Sequence, residues 1–173
     1  MTYRLDALAR DLEGIHTALL DTSTCVYFLS EAQPWLTVVR AVLERADRGS
    51  LQLFIPSIVQ MELLVRPFKS NDELERRKVE TFVERTPFVR PVPFDRHVMM
   101  ASAEIRGRLG LKLADAIVVG SACRAGSDAV IGNDARFRAL NGQVAFQLVT
   151  APTPGLPRYI HIDDYIDEEP QKD

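Results

Sequence analysis

Four carboxylates stand out in this 173-residue chain by where they fall: Asp21 directly after one expected strand, Asp134 three residues after another, Glu62 early in the helix after a third, and Asp115 at the start of a buried helix. Hard cations such as Mg²⁺ or Mn²⁺ take oxygen ligands and keep several waters, so three or four carboxylates in one cleft suit them. A phosphodiester held at such a cleft can be attacked by water, and two ions about 4 Å apart would clamp both the attacking and the leaving oxygen. That chemistry needs no nucleophilic side chain. The three histidines, His16, His97 and His161, accordingly lie near no serine or cysteine in a recognisable catalytic pattern. The four acids are 41, 53 and 19 positions apart, so only the fold can bring them together. Each also has an ordinary alternative. Asp21 could cap a helix, Glu62 could lie on the wet face of one, Asp115 could cap or pair with Lys112 or an arginine, and Asp134 could be a turn residue.

The elements that would carry these acids alternate in type. Leu5, Leu8, Leu12 and Ile15 predict an amphipathic helix over residues 1–16, packed on the body. Ala18-Leu19-Leu20 reads as a buried strand that ends at Asp21-Thr22-Ser23, where polar residues precede a helix. Pro34 opens a further helix that Gly49 closes. Leu51 to Ile55 predicts a second strand, followed by a helix that starts at Pro56-Ser57, carries Glu62 and stops at Pro67. Asn71 to Arg85 reads as an exposed helix with Leu74, Val79, Phe82 and Val83 as its apolar face. Phe88 to Phe94 reads as an edge strand, since its prolines cannot donate to a ladder, and Asp95 caps a helix reaching about Arg108. Asp115 begins a largely apolar helix ending before Gly126. Asp128 to Ile131 is a strand leading to Asp134, and Val144 to Val149 another. Strands alternating with helices predict an α/β fold, a three-layer α/β/α sandwich around a central parallel sheet, whose ligands bind beyond the carboxyl ends of the strands.

The chain is long enough for one core, and residues 17–150 form the expected domain. Residues 151–173, rich in proline and acid, read as a tail lying on or leaving it. A formal net charge of −3 lacks the basic excess of most nucleic-acid binders. It decides little, because metal-binding carboxylates lower the formal charge while the metal itself attracts phosphate. Cys25 and Cys123 sit in apolar runs without CxxC spacing and read as reduced core residues. Acids at Asp6, Asp11 and Glu13 interrupt what a signal peptide would need, and no run approaches a membrane span. A cytoplasmic protein with no membrane association is the expectation.

In order, Leu19-Leu20-Asp21-Thr22-Ser23, Ile55-Pro56-Ser57 with Glu62-Leu63, Leu113 to Val118 around Asp115, and Ile131-Gly132-Asn133-Asp134 with Phe137 resemble the PIN-domain nucleases. Within these the resemblance is to the VapC-type toxins of toxin–antitoxin pairs, over roughly residues 17–150. It implies a PIN-like α/β/α sandwich and a Mg²⁺- or Mn²⁺-dependent endoribonuclease, with Asp21, Glu62, Asp115 and Asp134 as the acidic quartet. Ser23 matches a supporting hydroxyl, and Asn133 a residue that orients a ligand or phosphate. One departure is Gly132, where many members carry threonine. An RNA substrate, a cognate antitoxin and a homodimer are implied partners, with Arg66, Lys69, Arg106, Arg108, Lys112, Arg136 and Arg138 as candidate RNA guides. The resemblance also admits a PIN enzyme for RNA processing or DNA without an antitoxin, and a non-catalytic scaffold that binds RNA or protein. Four acids speak against the scaffold, because a non-catalytic fold has little reason to gather like charges.

Overall fold

The computed structural model describes residues 2–142, 148–150 and 155–167. At its centre lies β2 (Thr17–Leu20), in which Ala18, Leu19 and Leu20 have no exposed surface. Strands buried on both faces read as unbroken apolar runs rather than alternating ones, as Ala-Leu-Leu does. On one side β2 pairs in parallel with β3 (Gln52–Pro56), and β3 with β4 (Val89–Val92). On the other it pairs in parallel with β5 (Ala129–Gly132), and β5 with β6 (Arg158–His161). The strand order is therefore β4-β3-β2-β5-β6. The chain winds outward from β2 to β4, then returns across the sheet to β5. This reversal makes the β2–β5 boundary a topological switch point, where the loops leaving neighbouring strands diverge and open a crevice.

Helices flank the sheet, as an α/β/α sandwich requires. Between β2 and β3 run α2 (Thr22–Leu29) and α3 (Trp35–Asp47), the latter burying Leu36, Val39 and Leu43 at helical spacing. Between β3 and β4 run α4 (Ser57–Ser70) and α5 (Glu73–Arg85). α6 (Arg96–Leu109), whose N-cap Asp95 accepts the Val98 amide at 2.8 Å, leads into α7 (Leu113–Ala125) and so back to β5. α7 is buried without interruption from Ala116 to Cys123, and Gly120 lets α6 close on it. A Cβ at Gly120 would stand 2.3 Å from Ser102 Oγ and 2.9 Å from the Ser102 nitrogen.

Several expectations need correction. The N-terminal helix, α1 (Leu5–Asp11), is shorter than sixteen residues; a two-residue β1 (Thr2–Tyr3) precedes it and Gly14 turns left-handed after it. β1 pairs antiparallel with β7 (Ile166–Asp167), which takes its first residues out of the helix. Pro67 does not stop α4. A proline near a helix end forfeits one internal hydrogen bond, and α4 continues to a left-handed Asn71. Leu74, expected on the apolar face of α5, is exposed. Of the expected strand Val144–Val149, residues 144–147 lie outside the described residues, and Leu148 and Val149 are not in a strand. The fifth strand is instead Arg158–His161, within the segment read as a tail. An edge strand has only one neighbour and needs few residues, so Tyr159-Ile160-His161 suffices beside β5. Among the described residues no helix is long and apolar enough to cross a membrane.

Candidate active site

Asp21 is the first residue beyond β2. Its amide still donates to Ile131 O of β5 at 2.9 Å, which holds it on the rim between the two strands. Although it occupies the N-cap position of α2, its side chain makes no capping hydrogen bond. The carboxylate accepts a long bond from Ser23 Oγ, at 3.4 Å, and burial pushes its pKa up to about 6. The Thr22 amide and the Ser23 hydroxyl work against that rise, while the charges of Glu62 and Asp134 add to it.

The other acids reach the same rim from separate elements. Glu62 lies in the second turn of α4, and its carboxylate accepts a short hydrogen bond from the hydroxyl of Thr22, the residue after Asp21. Asp115 is in the first turn of α7. Burial raises its pKa, Arg136 and Lys112 oppose the rise, and Asp134 and Glu62 reinforce it. Asp134 follows β5 by two residues. Its pKa is lowered, chiefly because the Arg136 side chain grips it, with Nε 3.0 Å from both carboxylate oxygens. Contacts join the acids in pairs along this rim: Arg136 bridges Asp115 and Asp134, and Thr22 ties Glu62 to the residue next to Asp21.

Ser23 ties the rim together. Its hydroxyl accepts the Asn133 amide at 3.0 Å and donates to Asp21, so the end of β5 is fastened to the end of β2 through it. Asn133 turns its side chain toward α2 rather than the acids, with Nδ2 donating to Tyr27 Oη at 2.9 Å. Two further residues at the site carried no signal that was read in the sequence. Thr22, which fixes Glu62, looks there like an ordinary helix-start residue. Tyr159 accepts the Asp134 amide at 2.7 Å, and burial raises its phenol well above the ordinary value, so it stays protonated. Recognising Tyr159 requires recognising β6, a four-residue strand among prolines and acids.

Of the basic residues considered as guides, Arg136 lies within the acid cluster and Lys112 is close enough to influence Asp115 and Asp134. Arg108 and Arg138 pair with Glu104 and Asp164. Among the described residues, no three His, Cys, Asp or Glu side chains are grouped as ligands of a single ion. Arg136 lies across Asp115 and Asp134, and Thr22 holds Glu62.

The donor set nevertheless fits a hard divalent cation. Asp115 Oδ2 lies 3.1 Å from Arg136 Nη1 but is buried with no hydrogen-bond partner, and Asp21 is half-buried near like charges. Carboxylate oxygens that are dehydrated and under-neutralised gain from Mg²⁺ or Mn²⁺. Soft ligands play no part, since the buried Cys25 and Cys123 are core thiols, with that of Cys123 pushed up to about 12.

A family model for the PIN domain matches residues 18–143, more than two-thirds of the chain. The chain belongs to the PIN-domain family. This PIN domain also resembles solved structures. VapBC2 from Rickettsia felis bound to a promoter DNA fragment is 22% identical, with a TM-score of 0.58 over 71% of this chain and 92% of that one. A toxin–antitoxin complex from Klebsiella pneumoniae is 22% identical, with a TM-score of 0.56 over 72% and 93%. VapC20 from Mycobacterium tuberculosis, a Sarcin-Ricin loop cleaving toxin, is 12% identical, with a TM-score of 0.57 over 70% and 93%. At these identities the likeness is one of fold. No curated protein matches the chain.

Proposed function

We propose that this PIN domain is a divalent-metal-dependent endoribonuclease acting as the toxin of a toxin–antitoxin pair. The observation that supports the proposal is that Arg136 bridges Asp115 and Asp134 while Thr22 holds Glu62 beside Asp21, so that acids from four different elements lie along the switch point of the sheet. Bound Mg²⁺ or Mn²⁺ supplies positive charge that activates water and offsets charge developing on the phosphate. Asp21 and Asp115, the more buried acids, are the residues to hold it. Thr22 keeps the Glu62 carboxylate turned toward the rim. Asp134 completes the set once Arg136 swings from its carboxylate toward a substrate phosphate, where a planar guanidinium binds two oxygens at once. Lys112, at the start of α7, offers a second phosphate contact.

RNA as the substrate, and an antitoxin as the partner, are supported by the fold shared with a Sarcin-Ricin loop cleaving toxin and with toxin–antitoxin complexes. A homodimer and a cytoplasmic location belong to the same reading. Purified protein with Mn²⁺ is expected to cut structured RNA, and Asp21→Asn and Asp115→Asn to abolish the cutting. Equal cleavage by the variants would refute the site. Co-purification with the product of a short neighbouring reading frame tests the antitoxin, and its failure would remove the toxin role while leaving the nuclease.

A further inference from the structure

The Tyr159 hydroxyl, delivered from the edge strand, stands where Gly132 leaves a gap beside two of the proposed metal ligands. Tyr159 is 3% exposed and held from several directions. Its amide donates to Asn141 Oδ1 at 2.6 Å and its carbonyl accepts from Asn141 Nδ2 at 2.9 Å, so one side chain clamps the strand at this residue. Its ring packs at a tilt against Phe137, with centroids 5.3 Å apart, and meets the edge of His161 at 5.8 Å. These contacts leave the hydroxyl little freedom, and it accepts the backbone amide of Asp134 at 2.7 Å. Across the gap, a Cβ built on Gly132 would lie 3.0 Å from this hydroxyl, 3.0 Å from Asp21 Cβ and 3.1 Å from Asp21 Oδ2. Any side chain at 132 would therefore press on Tyr159 and Asp21 together.

We propose that Tyr159 is a positioning residue for Asp134, and that glycine at 132 and tyrosine at 159 form a matched pair. The hydroxyl anchors the backbone from which the Asp134 carboxylate projects, and the absent side chain at 132 gives the hydroxyl its place without crowding Asp21. The pairing has a testable chemical equivalent. A serine hydroxyl commonly accepts the amide two residues further on, and Asp134 is two residues after Gly132. A serine oxygen at 132 can therefore take over the Asp134 amide, provided that the Tyr159 hydroxyl is no longer in its way. The proposal rests on the reading of the acids as metal ligands.

The test is Mn²⁺ binding by calorimetry and thermal unfolding in EDTA, for the wild type, Tyr159→Phe, Gly132→Ser and the double variant. Loss of a group that orients a ligand typically weakens metal binding about 10- to 100-fold, so Tyr159→Phe is expected to raise the Mn²⁺ Kd at least about tenfold. Gly132→Ser alone is expected to weaken binding and lower the unfolding temperature, through the crowding of Tyr159 and Asp21. The double variant keeps the contact of residue 132 with Asp21 but loses that with the tyrosine hydroxyl, so it is expected to bind Mn²⁺ more tightly than Gly132→Ser alone and than the sum of the two single effects gives, which loss of structure alone would not produce. Tyr159→Phe binding as tightly as an Mn²⁺-competent wild type would overturn the positioning role. Purely additive effects on both Kd and unfolding temperature would overturn the pairing. A wild type that binds no Mn²⁺ would overturn the metal reading itself, while the unfolding temperatures in EDTA still decide the pairing.

Discussion

Replacing Asp21 with asparagine is expected to destroy activity and to stabilise the metal-free fold. Burial, followed by the charges of Glu62 and Asp134, raises the folded carboxyl from 3.8 to about 6. A raised acid contributes stability that is fully present below its unfolded value and lost as pH rises through the folded one. At ~1.4 kcal/mol per pH unit, holding Asp21 charged at pH 7.5 costs up to about 3 kcal/mol. The carboxylate is partly open to water, and screening reduces this to about 1.5 kcal/mol. For a domain of this size, about 2–4 °C per kcal/mol makes the expected gain about 3–6 °C in Tm. The assay is thermal unfolding in EDTA, with Asp21→Asn against the wild type at pH 7.5 and again at pH 4. The gain should shrink at pH 4, where the wild-type carboxyl is already protonated. Added Mn²⁺ should reverse the ranking at pH 7.5, because only the wild type gains a bound ion. If Asp21 served as a helix cap, asparagine would cap equally well and the variant would unfold with the wild type at both pH values. Equal Tm in EDTA at pH 7.5 would therefore refute the electrostatic reasoning.

Mn²⁺ affinity measured by calorimetry should fall as pH drops below about 6, since a proton on Asp21 competes with the ion; a flat profile from pH 7 to 5 would exclude Asp21 as a ligand. Arg136→Gln should bind Mn²⁺ more tightly, by freeing Asp115 and Asp134, yet turn over RNA more slowly; weaker Mn²⁺ binding would show that Arg136 organises the acids rather than competing for them. Gly120→Ala should destabilise the protein by about 1–3 kcal/mol, because the new methyl meets Ser102 in a well-packed contact; pairing it with Ser102→Ala should recover part of the loss in chemical denaturation. Asp95→Ala should cost about 1 kcal/mol through the lost cap of α6, without changing Mn²⁺ affinity.

The legibility of the site in the sequence follows the range of the interactions that build it. Asp21 and Asp134 could be placed because each follows an apolar strand core, Ala18-Leu19-Leu20 or Ala129-Val130-Ile131, and a parallel sheet puts such positions on one edge. Asp115 was legible through its buried helix. Glu62 was the hardest acid to place, since its position depends on how α4 leans over the sheet, and the contact that fixes it, the Thr22 hydroxyl, comes from 40 positions away. Tyr159 was hidden further. Its strand is four residues long, follows prolines, and gains its role from β5, Asn141 and Phe137 rather than from any periodicity of its own. Apolar patterning reveals which segments enter the core, whereas hydrogen bonds at a sheet edge depend on register and on single side chains.

The same distinction bears on how the four acids are kept together. Their restraints are mostly neutral: a threonine hydroxyl for Glu62, a serine hydroxyl for Asp21 and a tyrosine hydroxyl for the Asp134 backbone. Neutral partners fix an acid's position without cancelling its charge. Among the described residues Arg136 is the cation paired with Asp115 and Asp134, and its side chain is 48% exposed. Had the acids been held by buried arginines, the pairs would satisfy one another and a divalent ion would have little to gain. With hydroxyls as the fixed supports and a half-exposed guanidinium as the counter-charge, the rim keeps an electrostatic deficit centred on Asp21. The fully buried side chains of the strands beneath it, Leu19, Leu20, Leu53 and Ile55, supply the stability that such a deficit consumes. A carboxylate that destabilises the empty fold is, for that reason, the one from which a bound cation would draw the most.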